Sequence, residues 1–157
     1  MAQLTYGYET AKGLPGQKAD LGWTEVYSRT NEEEDGKMKF GMAVMTGTTA
    51  GQTVKLPAAG AKKEQIEGVS LMSDHFEHDL NGKVIIGKGA VIGVAVTGRV
   101  WARLASGVTR TVSGAPAYVV ISGEDAGCFT ATSGESTVDI GATFGEDYDD
   151  GIAIVKL

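Results

Sequence analysis

Short apolar runs, rich in β-branched residues and alanine, recur along the chain at intervals of about ten residues. The strongest is Val91–Leu104, which reads V-I-G-V-A-V-T-G-R-V-W-A-R-L. Its second half alternates as a strand does, with one apolar face and one face that carries a tryptophan between two arginines. The apolar face holds Val100, Ala102 and Leu104, and the other face holds Arg99, Trp101 and Arg103.

The two halves of this run meet at Thr97-Gly98, where glycine can take the positive φ of a tight turn. We therefore predict a hairpin at this point, although Thr-Gly is a weaker turn signal than Asn-Gly. The first half is small or apolar on both faces. A strand of that kind is either central in the core or covered by another element.

The face with the tryptophan is a candidate contact with another chain, because Trp and Arg are enriched at protein interfaces. Its members are Arg99, Trp101 and Arg103. The alternative is that Trp101 only shields the edge of its own sheet, and the sequence leaves both interpretations open.

The remaining strand candidates are separated by turns that contain glycine, and Asn81-Gly82 is a clear turn signal. They are Lys37–Thr46, Val54–Leu56, Ile66–Met72, Lys83–Lys88, Gly107–Val112, Ala115–Ile121, Cys128–Thr132, Val138–Phe144 and Ile152–Leu157. No long helix and no internal repeat is evident. The pattern predicts an all-β fold, either a small β-barrel or a β-sandwich.

Residues 1–35 differ from the rest, because no helical or strand period persists there and glycines interrupt the segment. The segment is nevertheless too apolar for a solvated tail. We expect an extended, irregular N-terminal arm over residues 1–35 that lies on its own domain or on a neighbouring subunit, followed by a β domain over residues 36–157. The interface candidates of the arm are Tyr6, Tyr8, Leu14, Leu21, Trp23 and Tyr27.

The composition of the chain argues against several classes of function. The net charge of −6 and the pI of about 4.9 argue against binding to nucleic acid or to an anionic membrane surface. One cysteine excludes an internal disulfide framework. No signal peptide and no membrane-spanning run is visible, so we expect synthesis in a cytoplasm.

The sequence gives only weak signals of a metal-binding or catalytic site. His75 and His78 lie three residues apart beside acidic residues and resemble a metal site, but a solvated loop is the favoured interpretation. The acidic stretch Glu146–Asp150 lacks the spacing of a calcium loop. Cys128 is expected to be a buried, inert thiol. No nucleophile, base and oxyanion site come together, so we expect no enzyme, no metal and no cofactor.

Several short motifs occur in an order and at spacings that resemble the structural cement, or capsid decoration, proteins of tailed bacteriophages. They are I-E-G-V-S-L at 66–71, G-R-V-W-A at 98–102, G-A-P-A-Y-V at 114–119, I-G-A-T-F at 140–144 and D-D-G-I-A-I-V-K-L at 149–157. The resemblance implies a β domain without catalytic activity. It also implies binding to the outside of the capsid, between major capsid protein subunits, as a homo-oligomer that is more often a trimer than a dimer.

The acidic, glycine-rich composition and the aromatic arm agree with such a scaffold, and repeated weak contacts around a shell would give avidity. An alternative function is a surface β-domain that binds a glycan or a host receptor through Trp23 or Trp101. A third is a small metal-dependent enzyme around His75 and His78.

Overall fold

The structure is a computed structural model that describes residues 13–73, 77–78, 80–82, 84–108, 110–149 and 151–157. These residues form twelve strands and one short 3-10 helix, Lys63–Gln65. The strands are β1 Val26–Asn31, β2 Ala43–Thr46, β3 Thr53–Lys55, β4 Ile66–Ser70, β5 Glu77–His78, β6 Val84–Ile85, β7 Val91–Ala95, β8 Arg99–Arg103, β9 Pro116–Val120, β10 Phe129–Thr130, β11 Thr137–Asp149 and β12 Ile152–Lys156.

Five strands close into a barrel in the order β1-β3-β2-β4-β7. β1 runs parallel to β3 and antiparallel to β7, so it closes the barrel between them. An apolar cluster lies among these strands and the loops that flank them. It comprises Met38, Phe40, Val44, Val54, Ile86, Ile92 and Val94. The predicted all-β fold with a β-barrel is confirmed.

A second sheet has the order β10-β9-β11-β12-β8 and packs on the barrel. The larger apolar cluster joins the two layers, because its members come from both of them. The barrel contributes Ala43, Val69 and Ala95, and the sheet contributes Val100, Ala102, Val119, Phe129, Phe144 and Val155, among others. Val100 and Ala102 therefore form the core-facing side of β8, and Leu104 directly after the strand is buried with them, as their alternation predicts.

A glycine permits the tightest approach within the barrel. Gly68 on β4 has φ +157°, and a Cβ placed on it would lie 2.0 Å from the carbonyl oxygen of Ala95 on β7. No side chain fits in that space, so the β4–β7 pairing that closes the barrel depends on glycine at this position.

The predicted hairpin at Thr97-Gly98 is wrong. Gly98 has a positive φ of +113°, as expected, but β7 pairs with β1 and β4 whereas β8 pairs with β12. The turn therefore passes the chain from the barrel to the second sheet. Ile92 and Val94 of β7 pack in the barrel cluster, whereas Val100 and Ala102 of β8 pack in the cluster between the two layers.

Two further expectations differ from the structure. The sequence predicts an irregular segment over residues 1–35, but Val26–Asn31 form β1, so a boundary at residue 35 would divide the barrel. In the range 107–112 the described residues form no strand. The turn at Asn81-Gly82 is confirmed, because Gly82 has φ +75° and joins β5 to β6 in a small hairpin.

Candidate interaction surface

The segment Gly13–Ala19 lies along the free edge of β8. The N–H of Gly16 donates to the carbonyl oxygen of Trp101 at 2.7 Å, and the N–H of Trp101 donates to that of Gln17 at 2.9 Å. The N–H of Ala19 donates to the carbonyl oxygen of Arg99 at 2.8 Å. This segment, which we call the edge segment, therefore extends the five-stranded sheet in an antiparallel manner.

Gly16 anchors the edge segment where the barrel meets the second sheet. The N–H of Met72, just after β4, donates to its carbonyl oxygen at 2.8 Å. Gly16 has φ +83°, and a Cβ on it would lie 2.9 Å or less from Met72, Phe40 and Ser70. Only glycine combines this conformation with this space, so one residue ties the segment to both layers.

The edge segment covers Trp101, which is 7% exposed. The indole packs with Ile152, Ile154 and Ala19, and Gly13 lies so close that a Cβ there would be 2.0 Å from Nε1. The face of β8 that the sequence suggested for a partner is thus covered by this chain's own residues. The interpretation that Trp101 shields its own sheet edge fits this geometry better.

The arginines beside Trp101 are partly buried and engaged within the chain. Arg103 donates from Nε to the carbonyl oxygen of Phe40 at 2.9 Å, and burial lowers the pKa of its guanidinium. Arg99 faces Asp20, with 3.5 Å between Nη1 and Oδ2. These contacts position the chain around the edge segment. A role for the two arginines at a subunit contact stays a prediction.

Four large side chains on the edge segment, in its connection to β1 and on β1 itself are different, because they face solvent. Leu21 and Trp23 are 107% and 85% exposed, and Leu14 and Tyr27 are exposed as well. We call these four residues the exposed N-terminal side chains. They are the kind of large apolar groups that a partner would cover.

A network of polar contacts holds Tyr27 in place. Its hydroxyl donates to Oε1 of Glu25, and this hydrogen bond raises the pKa of Tyr27. The guanidinium of Arg29 lies 5.0 Å from the centre of the Tyr27 ring and also pairs with Glu67. The aromatic ring is therefore presented in a defined orientation although it faces solvent.

Sequence reasoning missed the other exposed apolar residues of the described chain, namely Val26, Met72, Leu80, Val84, Val91 and Val112. For Leu80 a signal was available, since it directly precedes the Asn81-Gly82 turn and so lies at a hairpin tip. Val91 begins β7, where the sequence shows no alternation that would separate an inner from an outer face.

Several predicted residues lie outside the described part of the chain, namely Tyr6, Tyr8, His75 and Asp150. His78 lies on β5. Among the described residues no group of three His, Cys, Asp or Glu side chains could hold a metal ion. The structure also has no helix, in its described ranges, that is long and apolar enough to cross a membrane.

Cys128 is buried, as predicted, just before β10. Burial raises the pKa of its thiol to about 11, with a smaller contribution from Asp125. The thiol is therefore protonated near neutral pH, which fits the inert interpretation.

Residues 2–157 match the family described as "Structural cement protein (E217 gp24/Pam3 gp6)". The chain belongs to this family. The resemblance inferred from the short motifs is confirmed, and the chain is a structural cement protein of a phage capsid. The family match covers the N-terminal segment as well as the β layers.

The fold resembles a chain in a solved structure entitled "The capsid of Myoviridae Phage XM1". The TM-score is 0.72 at 17% sequence identity, and the alignment covers 99% of this chain and 96% of that chain. At this identity the similarity establishes the fold. A comparison with curated proteins found no match.

Proposed function

We propose that this cement protein binds the outer surface of a tailed-bacteriophage capsid, between major capsid protein subunits, and stabilises the head. The observation that carries the proposal is the exposure of Leu21 and Trp23, next to the strand that closes the barrel. Large apolar side chains on a protein of a capsid family are most simply explained by a partner that covers them.

The attachment of these side chains supports this role. Trp23 and Leu21 lie between the edge segment, which is bonded to β8, and β1, which is bonded to β7. Both ends of the short connection are therefore fixed to the β layers. A contact made there would transmit force from the shell to the whole domain, as a cement protein requires.

We further propose that the protein acts as a homotrimer with no catalytic activity. A threefold arrangement would present three copies of the exposed N-terminal side chains to adjoining capsid subunits. Three weak contacts linked in this way bind far more tightly than one.

Purified shells that lack the protein test the proposal. Wild-type protein and a Leu21→Ser/Trp23→Ala variant are added, and occupancy is measured by sedimentation and cryo-electron microscopy. We expect the variant to bind at least about tenfold more weakly and to protect shells less against heat.

Val112→Ser is the matched control, because Val112 is also an exposed apolar residue, at 67%, but lies outside the N-terminal region. It should bind as the wild type does. Equal occupancy by wild type and the N-terminal variant would contradict the proposed surface. Binding of the wild type to a glycan array but not to shells would favour the receptor-binding alternative.

A further inference from the structure

We propose that the edge segment, Gly13–Ala19, is exchanged between copies of the protein, so that one copy's segment fills the β8 edge of its neighbour. The partner on this edge is thus a second copy of the same chain. The inference rests on the proposed self-association, and it adds the way in which the copies are joined.

The edge segment of another copy could make the same contacts with β8. Its attachment to β8 consists of main-chain hydrogen bonds that involve Gly16, Gln17 and Ala19. Main-chain bonds depend on strand geometry and not on which chain supplies the strand, so an identical segment from another copy satisfies them equally.

The groove is nevertheless selective for this sequence. Gly16 occupies a site where a Cβ would clash with Met72, Phe40 and Ser70, and Gly13 lies against the Trp101 indole. A segment that fits must carry glycine at both positions, three residues apart. Every copy of this chain meets that requirement, whereas an arbitrary peptide does not.

The connection to β1 has the properties of a hinge. In Asp20–Thr24 the N–H of Gly22 donates to Asp20 Oδ1 at 2.9 Å, and the hydroxyl of Thr24 donates to the carbonyl oxygen of Gly22 at 3.4 Å. These bonds are local and survive a change in direction. Leu21 and Trp23 lie in this connection and face solvent, so a change in its direction breaks no apolar contact of theirs.

Engineered cysteines distinguish an edge segment that is exchanged between copies from one that stays on its own chain. Lys18 lies opposite Val100 on β8 as a non-hydrogen-bonded antiparallel pair, with the two flanking hydrogen bonds made by Ala19 and Trp101. The side chains of such a pair are close enough for a disulfide. One copy carries Lys18→Cys and another carries Val100→Cys, both in a Cys128→Ser background. The two full-length chains are co-expressed, oxidised and separated by non-reducing electrophoresis.

If segments are exchanged, the co-expressed pair gives a disulfide-linked band of two chains, and neither variant gives it alone. The matched control is Arg99→Cys with Lys156→Cys, which pair between β8 and β12 of one chain. That pair should give no linked band when the two cysteines are on separate chains.

A chain with both Lys18→Cys and Val100→Cys tests the reverse case. A disulfide within that monomer, together with no linked band from the co-expressed pair, would overturn the exchange. Sedimentation of the same samples separates the two proposals, since an unlinked oligomer refutes only the exchange, whereas a monomer refutes self-association as well.

Discussion

Arg29 on β1 donates from Nε to Oε2 of Glu67 on β4 at 2.6 Å, although β7 lies between these two strands in the barrel. The side chains are only 15% and 14% exposed. The ion pair thus links two strands that share no main-chain hydrogen bonds in the described pairings, and it spans the point where the N-terminal strand closes the barrel.

Glu67→Gln should destabilise the protein, because it leaves the largely buried guanidinium of Arg29 without its charged partner. We expect the free energy of unfolding to fall by about 1–3 kcal/mol, measured by urea denaturation. Lys88→Met is the control, because its pair with Glu34 is largely exposed and should leave the urea midpoint nearly unchanged. Equal midpoints for the two variants would contradict a structural role for Arg29–Glu67.

Gly68→Ala should prevent normal closure of the barrel. The added Cβ would lie 2.0 Å from the carbonyl oxygen of Ala95, so β4 and β7 must separate. A loss of roughly 3 kcal/mol or more is expected in thermal or urea unfolding. Gly134→Ala, where no atom lies within 4 Å of the added Cβ, should be close to neutral, and a neutral Gly68→Ala would show that the barrel can yield there.

The two tryptophans should respond in opposite ways. Trp101→Ala removes a buried side chain and should cost about 3–5 kcal/mol of stability. Trp23→Ala removes an exposed one and should leave the unfolding midpoint unchanged while it weakens binding to shells. A stable Trp101→Ala protein that fails to assemble would restore the first interpretation, in which Trp101 contacts another subunit.

Deletions should show where the arm ends. Because β1 closes the barrel, removal of residues 2–30 should abolish the native circular dichroism spectrum. Removal of residues 2–19 retains β1 and should leave a folded but less stable β domain, since Trp101 becomes exposed. A folded product of the longer deletion would show that the barrel closes without β1.

Ionisation of the Cys128 thiol should lower the free energy of unfolding at high pH. Its thiol has a folded-state pKa of about 11, above the ordinary value of 9.0, so the folded protein holds a proton that the unfolded chain releases. The free energy of unfolding should therefore decline between about pH 9 and 11. Cys128→Ser should flatten that decline, and an unchanged pH profile would assign it to other groups.

Local patterns in the sequence determined much of the fold. Alternation assigned Val100, Ala102 and Leu104 to the core, and Asn81-Gly82 marked a turn. Burial of Cys128 followed from the tendency of a free cysteine to behave as a small hydrophobic residue. These properties depend on residues adjacent in the chain, because the side-chain period of a strand and the φ of a turn are local.

Only the tertiary structure decided which strands pair and which faces are covered. The Val91–Leu104 run is compatible with a hairpin, yet its halves belong to different layers because long-range partners, β1 and β12, compete for their edges. Val26–Asn31 becomes a strand only when β7 and β3 flank it. The arginines on either side of Trp101 suggest an exposed face, yet Trp101 is buried. The edge segment covers it and is held there by main-chain hydrogen bonds. Such bonds leave little trace in the side-chain pattern of the sequence.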